Sequence, residues 1–107
     1  MPFEIVLAPQ AVEGLKALRA DFQSSVRDAI ELHLRHEPTK LSKSRIKRLR
    51  GLDRPQYRLR VNEVRVFYDV TATAVEVLAI IPKEQAEAWL AEEATPASPS
   101  GPGKGEG

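Results

Sequence analysis

Arg58, Arg60 and Arg65 carry the clearest chemical claim in this sequence. They take the alternate positions of two apolar segments, YRLRV (57–61) and VRVFYDV (64–70), separated by Asn62-Glu63. Folded as a hairpin about that pair, the segments set Arg60 opposite Arg65, and same-face neighbours on adjacent strands lie about 5 Å apart. Three like charges at that spacing repel one another, a cost that is offset when a phosphate or similar anion sits between them. Arginine keeps its proton to a pH above about 12, so such a cluster clamps charge and does not act as a base.

The surrounding charge extends the same reading. Residues 35–65 hold eleven Lys and Arg against only Glu37, Asp53 and Glu63, a local net of +8 in a chain whose total is +1. Segregation of this size raises a positive potential over one region of a nearly neutral protein. Lys40, Lys43, Arg45, Lys47, Arg48, Arg50 and Arg54 belong to it. A phosphate backbone requires charge density from such residues rather than fixed geometry.

Other chemistries are poorly supplied. The 107 residues include no cysteine, which removes disulfides, a thiolate nucleophile and Cys-based zinc sites. His33 and His36 are too few for a metal cluster and fall at the polar end of a helix, so no metal or cofactor is expected. The N-terminal MPFEIVLAPQ has neither the basic start nor the long apolar run of a signal peptide. No apolar stretch approaches the roughly 20 residues that span a bilayer, so a cytoplasmic protein with no membrane partner is expected.

The elements that must position these residues are legible from periodicity. Phe3, Ile5 and Leu7 alternate as a short strand ended by Pro9; Val12, Leu15 and Leu18 then recur at helical spacing. Asp21 suits the N-cap of a second helix, with Phe22, Val26, Ile30 and Leu34 on one stripe, ending before Pro38. Residues 37–56 form a basic connector, with a short helical turn carrying Ile46 and Leu49 and stopped by Gly51. Three strands follow: 57–61, 64–70 and the apolar 75–81, the last central and covered on both faces. Pro82 opens a final helix to about Glu93, with Ala86, Trp89 and Leu90 inward. On the apolar phase, Tyr57 belongs to the core, whereas Tyr68 can face either way; Phe67 shares the phase of Arg65. The expected fold class is α+β. It comprises one domain, residues 1–93, of order β-α-α-β-β-β-α, with a small antiparallel sheet and an N-terminal helical hairpin packed on one face. Residues 94–107, rich in Pro, Gly and Ser, are expected to be a disordered tail.

That order, together with Leu49-Arg50-Gly51, Tyr57-Arg58-Leu59-Arg60-Val61 and Arg65-Val66-Phe67-Tyr68, resembles the RelE/ParE superfamily of toxins from type II toxin–antitoxin pairs. The likeness spans residues 3 to about 90. For a RelE-like member it implies a ribosome-dependent, metal-independent endoribonuclease (an mRNA interferase) that inhibits translation. In that chemistry the 2′-hydroxyl of the message attacks the adjacent phosphate and leaves a 2′,3′-cyclic end. The implied catalytic positions are Arg58, Arg60, Arg65 and Lys83, and Lys43, Arg45, Lys47, Arg48, Arg50 and Arg54 would bind RNA. The implied partners are the ribosome, mRNA and a cognate acidic antitoxin lying over the arginine face. The chain departs from the pattern at Asn62-Glu63, where a glycine-led turn is usual, and at its end. There Ile81-Pro82-Lys83-Glu84 is followed by Trp89-Leu90 and by no tyrosine. Two alternatives therefore stand beside the nuclease: a ParE-like, non-enzymatic inhibitor of DNA gyrase, and a catalytically weak RNA-binding member.

Overall fold

Alternation of Ile5 and Leu7 with Glu4 and Val6 produces β1 (Glu4–Leu7), and Pro9 at the first helical turn starts α1 (Pro9–Ala17). These bounds come from a computed structural model that describes residues 2–97. Leu18 and Arg19 are extended, which breaks the helix and begins α2 (Ala20–Ala29) directly afterwards. The Gln23 side chain donates back to the Leu18 carbonyl at 2.7 Å and holds this tight link. Asp21 is therefore not the N-cap that its residue type suggests. It lies in the first turn of α2 and pairs with Arg19, whose backbone fills the cap position. A π-helical turn, Ile30–Leu34, extends α2 and keeps Ile30 and Leu34 on the buried side.

The basic connector holds strands rather than a helical turn. Ile46–Arg48 is β2, running antiparallel to the later strand β4 (Tyr57–Val61), with Ile46 beside Leu59 and Lys47 beside Arg58. An unpaired edge of β4 would leave backbone N–H and C=O groups without partners, and β2 supplies them. Leu52–Arg54 is β3; it pairs with Thr95–Pro96, β7, in a separate two-stranded sheet, and the Ala97 amide donates to the Gly51 carbonyl. The sequence places Thr95–Ala97 in the tail, whereas the structure joins them to β3; residues 98–107 lie outside the described residues.

β5 (Val64–Val70) and β6 (Ala74–Pro82) complete a mixed five-stranded sheet of order β1-β6-β5-β4-β2. The β1–β6 pair is parallel and the other three pairs are antiparallel. Asn62 adopts φ +53° at the β4–β5 turn, a conformation asparagine tolerates. Between Phe67 and Tyr68 the β5–β6 register slips by one residue of β6, taken up by Leu78. That bulge lets Val77 and Ile80, three residues apart, both face the helices. On this covered face Leu15, Val26, Ile30 and Leu34 pack against Leu59, Val66, Tyr68, Val77 and Ile80. α1 approaches β6 so closely that a Cβ on Gly14 would collide with the Ile80 carbonyl. A 3-10 turn (Lys83–Gln85) leads into α3 (Ala86–Glu93), which lies across the opposite face with Trp89 stacked on Phe67, centroids 5.0 Å apart.

Candidate phosphate-binding groove

The outward phase of β4 and β5 is the floor of an open groove of about 630 Å³, with the 3-10 turn and α3 as its wall. Arg58, Arg65 and Phe67 come from the floor, Lys47 and Leu49 from the β2 edge, and Lys83 and Leu90 from the wall. The same lining includes three carboxylates, Glu63, Glu84 and Glu87.

Arg65 is the deepest cation, only 8% exposed. One of its terminal nitrogens donates to the Asn62 and Val64 carbonyls at 2.8 and 3.1 Å, which fixes the guanidinium against the hairpin turn. Arg58 is half-buried, and its Nε is buried without a protein acceptor. Burial and the neighbouring Arg65 and Arg60 charges together pull the Arg58 pKa below the ordinary arginine value. Arg65 is lowered by burial and by Arg60, partly countered by Glu63. Among the described residues none of Lys47, Arg58, Arg60, Arg65 and Lys83 forms an ion pair, although four such pairs occur elsewhere. Guanidiniums held at partial burial without a direct ion pair suit an anion that binds between them.

The remaining residues singled out by sequence scatter. Arg60 faces Arg65 in the register but is exposed and outside the groove lining. Arg48 lies on the other phase, over the Tyr57 ring, and donates to the Leu49 and Gln56 carbonyls. Arg54 points away, its Nε 3.8 Å from Asp69 and its side chain beside Trp89 and Glu93. Arg45 borders a separate small pocket with His33, Lys40 and Leu41 on the helical side; Lys43 is exposed. Tyr68 is resolved to the core, donating to the Pro38 carbonyl at 2.6 Å and stacked on Tyr57; burial raises its pKa. Neither tyrosine and neither histidine lines the groove. Among the described residues no three His, Asp or Glu side chains gather as a metal site, and no helix is long and apolar enough to cross a membrane.

Sequence reasoning missed the carboxylate wall and Leu49. The wall had a signal: Glu84, Glu87 and Leu90 stand three residues apart, with Lys83 four before Glu87, the spacing of one helical face. Leu49 had none, because its place depends on β2 pairing with β4.

No family model matches the chain, and no curated protein matches it. Solved structures do. A chain of the archaeal RelE–RelB complex from Pyrococcus horikoshii is similar over 78% of this chain and 97% of its own length, at 23% identity and a TM-score of 0.64. The chain has the fold of RelE-type toxins. The same RelE-like fold appears in a RelB–RelE antitoxin–toxin complex from Methanococcus jannaschii, at 19% identity and a TM-score of 0.61, covering 78% of this chain and 96% of that one. The YoeB dimer of Staphylococcus aureus is more distant, at 17% identity and a TM-score of 0.53, with 72% and 92% covered. The core positions that build this RelE-like sheet are the same ones that orient Arg58 and Arg65 outward.

Proposed function

We propose that this chain is the toxin of a type II toxin–antitoxin pair, acting as a RelE-like endonuclease on mRNA at the ribosome. One observation carries the reading: Arg58 and Arg65 stand partly buried at the floor of one groove on a RelE-like sheet, and among the described residues neither forms an ion pair. Guanidiniums so placed are worth most to a phosphate whose negative charge grows in the transition state. The 2′-oxygen forms a bond to phosphorus, the bond to the 5′-oxygen breaks, and the products are a 2′,3′-cyclic phosphate and a free 5′-hydroxyl. One proton leaves the 2′-hydroxyl and one reaches the departing oxygen. Lys47, Lys83, Glu63, Glu84 and Glu87 are the groove groups able to carry them. A cognate acidic antitoxin would cover the same cations, and exposed Lys43, Arg45 and Arg50 would meet ribosomal RNA.

A second reading, a ParE-like gyrase inhibitor without catalysis, draws on the lack of any tyrosine or histidine in the groove lining. Purified ribosomes programmed with a defined message separate the two. The nuclease reading expects cuts at the codon in the ribosomal A site, lost in Arg65→Ala. Uncut message together with inhibited supercoiling by purified gyrase would establish the alternative.

A further inference from the structure

We infer that a second notch, on the β2 edge beside the groove, receives the base of the nucleotide next to the clamped phosphate. The inference rests on the RNA reading above and names a subsite of that same surface. The notch holds about 290 Å³ and is lined by Lys47, Arg48, Leu49, Arg50 and Leu52. Lys47 and Leu49 also line the main groove, so the two spaces adjoin.

Charge decides the direction in which an RNA strand leaves the groove. The side formed by the β4–β5 turn, the 3-10 turn and α3 presents Glu63, Glu84 and Glu87 against the one cation Lys83, a net negative border that repels phosphates, whereas the notch has three cations and no acid in its lining. The strand therefore passes over β2. Two leucines between cations suit a nucleobase, whose flat faces pack on apolar side chains and guanidinium planes while its phosphate meets the charges. The cations divide that work. Arg48 is held by two carbonyls and by the Tyr57 ring, which makes it a fixed wall. Arg50 is exposed and has no ion-pair partner among the described residues, so it is free to lie over the bound base. The backbone that presents it is set locally: the Leu49 amide donates to the Gln56 carbonyl, and Gly51 turns the chain at φ +77°.

The test uses a four-nucleotide RNA, made uncleavable by 2′-O-methyl groups and carrying a fluorophore, with binding followed by anisotropy. An abasic residue is placed in turn at each position flanking the central phosphate. One flanking abasic site should weaken binding about tenfold and the other should change it little. Leu49→Ala and Arg50→Ala should weaken the intact RNA and shrink the abasic penalty toward twofold or less. Arg50→Ala removes an exposed side chain, so its result is independent of folding. Equal affinity for intact and abasic RNAs, with binding still lost in Arg65→Ala, would overturn the notch while leaving the groove in place. Absence of any Arg65-dependent RNA binding would overturn the groove reading and the notch with it.

Discussion

The two faces of the β4–β5 hairpin are made by alternate residues of the same twelve positions, 57–61 and 64–70, yet they follow opposite physical rules. On the helix-covered face Leu59, Val66 and Tyr68 are fully buried, and the one polar atom among them, the Tyr68 hydroxyl, is hydrogen-bonded to Pro38. On the groove face Arg58 and Arg65 share a lining and neither forms an ion pair among the described residues; burial first, then the charge of neighbouring arginines (Arg65 and Arg60 for Arg58, Arg60 for Arg65), lowers both pKa values. One face minimises its own free energy, and the other keeps charge available for a ligand. Such a division is expected where stability and function are carried by different side chains.

Substitutions can break this comparison, and their effects on stability should fall in a definite order. Leu59→Ala removes a fully buried side chain between α2 and the sheet and should cost about 2–5 kcal/mol. Chemical denaturation would show it, with RNA affinity per folded molecule unchanged. Tyr68→Phe keeps the ring stack on Tyr57 but strands the Pro38 carbonyl, at about 1–3 kcal/mol. Cleavage by the folded fraction should persist, because this hydroxyl is turned away from the groove; loss of cleavage without loss of folding would reverse that assignment.

Asp69 sits between the two regimes. It shares the phase of Arg65 but lies at the far end of β5, where its carboxylate accepts from the Gln56 amide at 2.7 Å. Burial, outweighing that bond and Arg54, raises its pKa above the ordinary aspartate value. The folded protein thus binds this proton more tightly than the unfolded chain, so the stability contributed falls as pH rises through the interval between the two pKa values. Asp69→Asn should be more stable than the parent at neutral pH. The difference should vanish once pH drops below the usual aspartate range, as thermal melts across pH would reveal. A variant that is less stable at neutral pH would mean that the Arg54 contact outweighs desolvation.

The hairpin was legible because three local signals agree on it: strict alternation, a turn led by Asn62, and Tyr, Leu or Val at every inward position. The same alternation told Arg58 and Arg65 apart from the core. The connector was not legible. Ile46–Arg48 has a single buried residue, and its strand conformation is imposed by the open edge of β4 rather than by its own sequence. Likewise, nothing near Arg54 in the chain announces Asp69, fifteen residues on, as its partner. Charge content was readable, but which cations converge depended on pairings between distant segments.

At the small end of the stability scale lies the substitution that most directly separates anion binding from folding at Arg58. Arg58→Met keeps the length and apolar stem of a half-buried side chain while removing its charge. Unfolding free energy and affinity for a short uncleavable RNA should be measured on the same preparation, at several salt concentrations. Stability should stay within about 0.5 kcal/mol of the parent or rise, affinity should fall at least tenfold, and the salt dependence should become shallower if Arg58 holds a phosphate. Unchanged affinity, or a fall in stability that matches the fall in binding, would contradict that role.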